Sequence, residues 1–462
     1  MMFANELILD KKTLLKPRFI ENVSCVCSKC YKVIPGNVVE INGKVFLIKD
    51  CCEKEINLLE NDANFYEAVY KPYKTENHAI LMGDSRYDKK SIEAIKNSSS
   101  HFYFPLTFKC NMSCPICYNK YEPHYKSICS YNPSLDSISS MLVGHRGKHI
   151  NLIGGEPTMR EDLPQIIKLV AKSGNLPDLH TNGLKFLDKR YIRKLKESGL
   201  KNITLSFDGF DENAYIVFRN QKMLSKKMRI LKNLKEEGMK VWLSAVIHKN
   251  LNAPEIFKLI KFTSLVKGLI RGINFMTFYH ETENLKERFT CSDVYKMIEK
   301  TTGIKVEQYI EERRFNYNIF YLFGKLSGKK VENRFKFLMK NRGITLKITR
   351  NGVKPAFGLE YLKSLNKVLE EAMSFKNRRK MILHLIKNMK VFINGDLMKM
   401  SSLFLFGGLD FTKGSRMMSL YTNYITIKVC GVTNTRNEDL GKAAEANCFD
   451  SEMPIVNLTD VI

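Results

Sequence analysis

Three cysteines fall within one short stretch of the chain, at Cys110, Cys114 and Cys117, with the spacing Cys-x3-Cys-x2-Cys. Three thiolates in one loop cannot complete a tetrahedral zinc site by themselves. They can, however, hold three irons of a 4Fe–4S cluster and leave the fourth iron open to another ligand. Because clustered thiolates select zinc or iron–sulfur clusters, the spacing favours a 4Fe–4S cluster, with a zinc loop that takes a remote fourth ligand as the alternative.

A second motif, Gly154-Gly155-Glu156-Pro157, begins 37 residues after Cys117, where the next strand is predicted to end. A glycine pair after a strand allows a close approach to the backbone. The carboxylate of Glu156 suits an ammonium group. A plain turn would explain these four residues alone, but their place one strand after the cysteines indicates a ligand site.

The elements that must position these motifs alternate between strands and helices. Repeated strand–helix units predict a parallel sheet, here of six strands. Ligand sites on such sheets lie at the carboxyl ends of the strands, so chemistry is expected directly after each strand. The strand candidates are 104–109, 150–154, 177–181, 202–207, 240–247 and 269–278, and the helix candidates between them are 160–173, 188–198, 223–237 and 253–266.

The cysteine spacing followed by the Gly-Gly-Glu-Pro motif resembles the radical S-adenosylmethionine (SAM) superfamily. The resemblance implies an α/β fold whose core is a partial, TIM-like (β/α)6 barrel. It also implies two cofactors: a 4Fe–4S cluster held by the three cysteines, and SAM, whose amine and carboxylate chelate the fourth iron. Glu156 and the backbone at Gly154 and Gly155 then receive the SAM amine. One departure is Ile116, where the family usually has an aromatic residue that packs and does not ligate.

Polar residues at later strand ends fit the same resemblance. Asn182 follows the third predicted strand, Ser206 lies at the end of the fourth, and Asp208 directly follows the fourth. In the family, a polar side chain at the position of Ser206, often with a second near Asp208, reaches the SAM ribose or carboxylate. Arg219 resembles the family arginine that pairs with the SAM carboxylate. A turn or capping role is an equal alternative for Asp208, and His180 is a candidate to face the substrate.

The first 75 residues form a second cysteine-rich region. Cys27 and Cys30, spaced Cys-x2-Cys, and the adjacent pair Cys51 and Cys52 lie on either side of an Asn-Gly hairpin signal at 42–43. This arrangement resembles a rubredoxin-like or zinc-ribbon knuckle. The resemblance implies one bound zinc or mononuclear iron.

A cysteine unit ahead of a radical SAM core resembles a narrower branch, the archaeal tetraether lipid synthase and pterin methyltransferase-like group. In that branch the N-terminal unit closes with Cys-x2-His. Here the histidine position is Lys54, whose ammonium cannot ligate a metal. Either Cys52 or Cys25 is therefore the substitute ligand, or the metal site has been lost.

The resemblance implies an enzyme that cleaves SAM and abstracts hydrogen from an unactivated C–H bond, with a reductant such as ferredoxin or flavodoxin as partner. Three substrate classes are open: membrane lipids whose saturated chains are joined carbon to carbon, a pterin-like heterocycle that is methylated, and a peptide side chain. The branch also carries auxiliary iron–sulfur clusters, and two of these would need about eight ligands. The cysteines left for one such cluster are Cys129, Cys291, Cys430 and Cys448.

The composition narrows the classes of partner. The chain of 462 residues has 74 Lys and Arg against 48 Asp and Glu, a net charge of +26. Residues 301–400 hold 22 of the basic and 8 of the acidic residues, so +14 of the excess lies there, which favours an anionic partner such as phospholipid headgroups. A zinc-binding nucleic-acid adaptor is the rival from another class, but the sequence has no aromatic-and-basic RNA motif, and no nucleic acid is expected.

The sequence also indicates where the protein is located. No apolar run approaches the ~18 residues of a membrane span, and the start lacks a signal-peptide pattern. The protein is therefore expected in the cytoplasm, where its basic region is a candidate for contact with a membrane surface.

Four regions are predicted along the chain. They are a rubredoxin-like unit at 1–75, a linker at 76–100, the radical SAM core at 101–290 and a mixed C-terminal extension at 291–462. The extension has helical periodicity at 292–301 and 359–390 and strand-like pieces at 345–349 and 423–429.

Overall fold

The structure is a computed structural model, and its described residues form two β-sheets and the helices that cover them. No helix in this part of the chain is long and apolar enough to cross a membrane. The described residues are 17–26, 33–70, 101–117, 130–143, 146–277, 289–327, 343–349, 352–392 and 424–431.

The N-terminal unit is a four-stranded antiparallel sheet with strand order β1-β2-β3-β4, followed by one helix. The hairpin predicted around Asn42 and Gly43 is confirmed, because both residues adopt the positive φ angles, 53° and 75°, that a tight two-residue turn requires. A small core of its own includes Val38, Val45 and Leu47. The elements are β1 (Arg18–Val26), β2 (Val33–Ile41), β3 (Lys44–Asp50), β4 (Lys54–Glu60) and α1 (Ala63–Tyr70).

The second sheet has nine strands among the described residues, in the spatial order β12 (Gly352–Pro355), β11 (Gly343–Thr349), β13 (Tyr424–Gly431), β10 (Ile270–Thr277), β9 (Val241–Ile247), β8 (Asn202–Ser206), β7 (Leu176–Thr181), β6 (His149–Gly154) and β5 (His101–Thr107). Strands β5 to β10 lie side by side in chain order and are parallel, which confirms the predicted six-stranded parallel sheet. Parallel crossovers are right-handed, so strands added in chain order place their helices on one face, as in a barrel. These strands are β5 (His101–Thr107), β6 (His149–Gly154), β7 (Leu176–Thr181), β8 (Asn202–Ser206), β9 (Val241–Ile247) and β10 (Ile270–Thr277).

The helices between these strands pack on one face of the sheet. Leu152, Leu179, Ile203 and Leu243 are fully buried there, in one core with the apolar stripes of the helices. Burial alternates along β9, so every second residue turns to the opposite, less buried face. The helices are α2 (Leu135–Leu142), α3 (Leu163–Lys172), α4 (Lys189–Glu197), α5 (Glu212–Arg219), α6 (Leu224–Glu236) and α7 (Glu255–Leu265).

The C-terminal region contributes to the same sheet. Strand β13 pairs in parallel with β10, and β11 pairs antiparallel with both β13 and β12. The first C-terminal helix packs into the main core, and a smaller second core joins the next two helices. The elements are α8 (Cys291–Thr302), α9 (Val306–Ser327), β11 (Gly343–Thr349), β12 (Gly352–Pro355), α10 (Leu359–Ser374), α11 (Arg378–Lys387), α12 (Met389–Phe392) and β13 (Tyr424–Gly431).

The N-terminal unit packs against the C-terminal helices. The ring of Phe65 on α1 lies 5.9 Å from that of Tyr295 on α8 and 6.1 Å from that of Tyr309 on α9. At the end of β4, the buried carboxylate of Glu60 accepts hydrogen bonds from the hydroxyl groups of Thr290 and Ser292 at the start of α8. An acidic side chain at this position caps a helix N-terminus, whose free N–H groups attract negative charge.

Candidate functional site

The cysteine loop follows β5 directly. Cys110 is exposed, and Cys114 and Cys117 are half-buried. Although Cys110 is exposed as a residue, the surrounding protein partly desolvates its thiol and raises its pKa to about 11, and the negative charges of Glu156 and the other two cysteines add to this effect. Three thiolates therefore need a positive partner to coexist here, which the iron of a cluster supplies. The three thiols are donors of the type that binds a 4Fe–4S cluster. Among the described residues, however, no group of three His, Cys, Asp or Glu side chains is already arranged around one metal position.

The glycine pair holds this loop against β6. A Cβ atom on Gly154 would lie 2.1 Å from the carbonyl oxygen of Thr107, and one on Gly155 would lie 2.5 Å from that of Lys109. Gly155 N donates to Thr107 O at 2.7 Å, and Glu156 N donates to Lys109 O at 2.9 Å. The predicted close approach is present, and the backbone that approaches is the chain's own, at the base of the cysteine loop.

Glu156 is buried, with 1% of its surface exposed, and its carboxylate accepts four hydrogen bonds. Oε1 accepts from Thr158 N at 3.2 Å, from Thr158 Oγ1 at 2.6 Å and from Thr181 Oγ1 at 2.7 Å, and Oε2 accepts from Asn182 N at 2.7 Å. The side chain thus caps the short 3-10 helix Pro157–Met159 and joins the ends of β6 and β7. Among the described residues Oε2 accepts this one hydrogen bond from Asn182 N, and the contact with the SAM amine stays a prediction.

Asn182 links the end of β7 to the cysteine loop. Its Nδ2 donates to Asn111 Oδ1 at 2.8 Å, and its Oδ1 accepts from Leu184 N at 3.0 Å. Asn111 directly follows Cys110 in the chain. The predicted site residues after β5, β6 and β7 are therefore joined by hydrogen bonds.

Asp208 and Arg219 form a second group at the ends of β8 and α5. The fully buried Asp208 accepts from Arg219 Nε at 2.8 Å and from Arg219 Nη2 at 3.0 Å, and also from Val246 N at 3.0 Å. Burial lowers the pKa of Arg219, but the charge and hydrogen bonds of Asp208, with a smaller contribution from the nearby Cys114, outweigh it, so the pKa is raised. Asp208 thus orients the arginine beside the cysteine loop, and Ser206 lies half-buried two residues before it.

Lys227 is a site residue that the sequence analysis missed. Its side chain is buried, and Nζ donates to the carbonyl oxygens of Asn182 and Ser206, each at 2.6 Å. Burial, with a smaller contribution from nearby Arg219, lowers its pKa to about 7. In the sequence, only its spacing from Ile230 and the other apolar residues of α6 indicates that Lys227 lies on the buried face of that helix.

The N-terminal cysteines have different surroundings. Cys27 and Cys30 lie outside the described residues. Cys51 and Cys52 are exposed in the turn between β3 and β4, where Lys54 begins β4. A metal in this unit stays a prediction.

Two of the four candidate ligands of an auxiliary cluster belong to described elements. Cys291 is buried in the main core at the start of α8, whereas Cys430 belongs to β13. Cys129 and Cys448 lie outside the described residues. The auxiliary cluster therefore also stays a prediction.

Comparison with known proteins identifies the core. Residues 104–263 match the family described as the Radical SAM superfamily. A Methanocaldococcus jannaschii protein named 7,8-dihydro-6-hydroxymethylpterin dimethyltransferase is 31% identical over 319 residues, which cover 65% of this chain and 60% of that protein. A GTP 3′,8-cyclase of Aquifex aeolicus is 31% identical over 182 residues, covering 37% of this chain and 55% of the cyclase. The chain thus spans less than two thirds of the length of these relatives.

Solved structures show more distant likenesses. SuiB of Streptococcus suis aligns at 15% identity and a TM-score of 0.37, covering 56% of this chain and 65% of SuiB. The protein anSMEcpe with bound AdoMet aligns at 20% identity and a TM-score of 0.36, covering 50% of this chain and 67% of its own. Likenesses this distant carry no argument about function.

Proposed function

We propose that this chain, which belongs to the radical SAM superfamily, cleaves S-adenosylmethionine and abstracts a hydrogen atom from an unactivated C–H bond of its substrate. The family implies a 4Fe–4S cluster and SAM as cofactors. When bound, the cluster supplies one electron that breaks the bond between the SAM sulfur and the 5′-carbon, which yields methionine and a 5′-deoxyadenosyl radical. The protein orients these groups and excludes water, and the cofactors carry the difficult chemistry.

The observation that carries the proposal is the hydrogen-bonded connection between the strand ends. The backbone of the cysteine loop bonds to Glu156, whose carboxylate bonds to Asn182, which in turn bonds back to the loop. Across the site, Asp208 holds Arg219 against Cys114. Groups that are fixed before a ligand arrives lower the entropic cost of positioning it.

Each part of this arrangement has a role in the proposal. Cys110, Cys114 and Cys117 would hold the cluster through their thiolates, and SAM would bind beside it. The guanidinium of Arg219, fixed by Asp208, uses its remaining N–H groups to bind the SAM carboxylate, as planar guanidinium groups do. The electron comes from an external reductant, for which ferredoxin or flavodoxin is the proposed partner.

The test is anaerobic reduction of the reconstituted full chain with dithionite in the presence of SAM, followed by chromatographic analysis for 5′-deoxyadenosine. We expect a brown protein with about four iron atoms from the cluster and formation of 5′-deoxyadenosine. A protein with a full cluster that forms none contradicts the proposal. A colourless, zinc-only protein that binds nucleic acid supports the adaptor instead.

A specific surface also supports contact with an anionic membrane. Helices α11 and α12 expose Leu383, Ile386 and Met389 by 64%, 57% and 55% of their surface. Residues 376–392 include six Lys or Arg and no Asp or Glu. Exposed apolar side chains among cations are typical of a helix that lies in the interface of an anionic bilayer. We therefore propose peripheral association through this face.

Vesicle sedimentation tests this association. We expect the full chain to sediment with phosphatidylglycerol vesicles and not with phosphatidylcholine vesicles. A Leu383→Ser/Ile386→Ser variant should lose most binding, whereas Leu265→Ser, at a residue 71% exposed on α7, should retain it. Equal binding to both lipids, or equal loss in the control, contradicts the proposal.

A further inference from the structure

A lysine occupies a position of α6 where an apolar residue would be expected. Lys227 is the fourth residue of this helix, on the same face as the buried Ile230 and Leu231, and only 2% of its surface is exposed. Removing a charged amino group from water is unfavourable. The first turn of a helix disfavours a cation further, because the helix dipole is positive there. A residue that breaks these local rules is expected where it serves a function.

The amino group of Lys227 joins two strands at the point where their pairing stops. The last register pair between β7 and β8 is Thr181 with Leu205. Asn182 and Ser206 are the next residues along these strands, and Lys227 Nζ donates to the carbonyl oxygen of each at 2.6 Å. Lys227 therefore extends the connection between the strands by one residue, at the carboxyl ends where ligands of parallel sheets bind.

Asn182 is held on both sides of its Cα atom. Its N–H donates to Glu156 Oε2 at 2.7 Å, and its carbonyl oxygen accepts from Lys227 Nζ. Its side-chain Nδ2 donates to Asn111 Oδ1 in the cysteine loop at 2.8 Å. The bond from Lys227 thus connects the hydrogen-bonded group of β6, β7 and the cysteine loop to the end of β8.

Lys227 also lies among the charged groups of the site. Burial has the largest effect on its pKa, and four charged site residues act on it as well: Arg219, Asp208, Glu156 and Cys114. A lysine amino group has at least two N–H donors whether or not it carries the extra proton. Both bonds to the strand ends can therefore form in either protonation state.

We propose that Lys227 is a positioning residue for SAM, which fixes the ends of β7 and β8 relative to each other through the carbonyl groups of Asn182 and Ser206. The inference rests on the proposed function, because it takes the side chains of these two residues as contacts of SAM. Without the amino group, each carbonyl loses a hydrogen-bond donor and the two strand ends can shift. A displacement of about 1 Å near a reacting centre can cost roughly a hundredfold in rate.

A role in stability alone leads to a different expectation. Replacing a buried ionic group by an apolar side chain of similar size is often neutral or stabilising. Methionine has nearly the length of lysine and suits the buried face of α6. We therefore expect Lys227→Met to keep the thermal midpoint and the iron content of the wild type while it loses affinity for SAM.

Calorimetric titration of the reconstituted full chain with SAM tests the inference. We expect Lys227→Met to weaken SAM binding by about tenfold, in the range of one lost charged hydrogen bond. Lys227→Arg, which keeps N–H donors at this position, should restore part of the affinity. Lys226→Met, at the exposed preceding residue of the same helix, is the matched control and should bind SAM like the wild type.

Electron paramagnetic resonance (EPR) of the reduced cluster separates positioning from stability. SAM bound beside the cluster changes its EPR spectrum, and the spectrum at saturating SAM reports the geometry of the bound cofactor. We expect the wild type and Lys226→Met to give the same spectrum at saturation. Lys227→Met should give a different one, although its iron content and thermal midpoint stay close to those of the wild type.

Three results overturn the inference: equal SAM affinity and equal EPR spectra in Lys227→Met and the wild type, equal losses in Lys226→Met, or a lowered thermal midpoint in Lys227→Met with normal SAM binding below it. If Lys227→Met does not fold, Lys227→Gln takes its place, because its amide is uncharged and one bond shorter. The expected direction of every change is the same.

SAM cleavage by the wild type, measured in parallel, tests the proposed function separately. A wild type that cleaves SAM, beside a Lys227→Met variant that binds it equally well, refutes only the role of Lys227. A wild type that does not bind SAM refutes both.

Discussion

Cys114 and Cys51 both belong to short cysteine-rich segments, yet their surroundings differ. The loop of Cys114 is held by hydrogen bonds from β6 and β7 and by the arginine anchored after β8. Cys51 stands exposed in a turn between two strands of a small sheet. Cysteine spacing predicts ligands in both places, but the first loop is joined to the ends of further strands of the large sheet, whereas the second closes a hairpin whose strands carry the buried ion pair of Lys49 with Glu55.

The difference indicates which folded unit each metal site would depend on. Around Cys114, folding of the large sheet fixes the start of the loop at Lys109 and Asn111, so binding a cluster has fewer residues to order. At Cys51, which lies exposed in a hairpin turn, we expect metal affinity to be coupled to the stability of the small N-terminal sheet. We therefore expect substitutions around Cys114 to change both cluster binding and SAM cleavage, and substitutions of the N-terminal cysteines to change only the metal content of their own unit.

The largest effect is expected from replacing the cysteines of the core. The Cys110→Ala/Cys114→Ala/Cys117→Ala variant should lose SAM cleavage and most of its iron, because no thiolates remain to hold the cluster. Iron analysis and 5′-deoxyadenosine formation measure this. Undiminished 5′-deoxyadenosine from the triple variant contradicts the cluster assignment.

The glycine pair should be nearly as sensitive. An alanine at Gly155 places its methyl group against backbone carbonyls, which cannot rotate away, and overpacking typically costs about 1–3 kcal/mol. We expect Gly155→Ala to lower both the thermal midpoint and cluster incorporation. Gly358→Ala is the control, because its Cβ would meet nothing nearer than 4.0 Å and its φ is −71°. Equal behaviour of the two variants would show that the loop tolerates displacement.

Glu156 should show an intermediate effect. Glutamine in its place presents an amide N–H₂ to groups that already donate hydrogen bonds, and it removes the charge proposed to face the SAM amine. We expect Glu156→Gln to weaken SAM binding by about ten- to a hundredfold, as for one charged hydrogen bond. Calorimetric titration with SAM measures this, and Glu307→Gln, at a side chain 48% exposed, is the control. Unchanged SAM affinity would mean that Glu156 only organises the loop and that the charge assignment is wrong.

The parts of the core that the sequence predicted depend on local patterns. Strands β5 to β10 follow from apolar runs and glycine or proline boundaries, and the cysteine and glycine motifs lie in single loops. The pairing of Asp208 with Arg219 and the burial of Lys227 depend on how separate elements meet. No local signal encodes such contacts.

Contacts between residues far apart in the sequence could not be predicted either. Residues 423–429 read as strand-like, and the observed β13 adds to β10 across about 150 residues of sequence. The capping of α8 by Glu60 likewise joins residues more than 200 positions apart. These contacts arise from the packing of whole units, which composition and periodicity do not specify.

Glu60 offers a smaller and pH-dependent test of how the N-terminal unit is attached. Burial raises its pKa from 4.5 to about 7, against the hydrogen bonds from Ser292 and Thr290 and with a further rise from Asp293. Because the folded pKa is raised, its stabilising contribution is complete below pH ~4.5 and is lost as pH rises through about 7. The difference corresponds to roughly 3 kcal/mol at most.

Hydrogen exchange in α1 between pH 5 and 8, corrected for the intrinsic pH dependence of exchange, measures this attachment. We expect protection to fall across this range in the wild type and to change much less in Glu60→Gln, which has no charge to gain. Glu53→Gln, at an exposed position in the same unit, should behave like the wild type. A wild-type profile that is flat across pH 7 contradicts the assignment of a raised pKa.

The smallest effect on catalysis is expected from the N-terminal cysteines. The sheet there has its own core, which includes Val38 and Leu47, and it is attached through Glu60, so it should stay folded without a metal. We predict that Cys27→Ser/Cys30→Ser loses one zinc or mononuclear iron per chain and still cleaves SAM. Metal analysis beside the 5′-deoxyadenosine assay decides this. Unchanged metal content means that the unit holds no metal, whereas lost SAM cleavage means that the two regions are coupled and that the contrast between them is wrong.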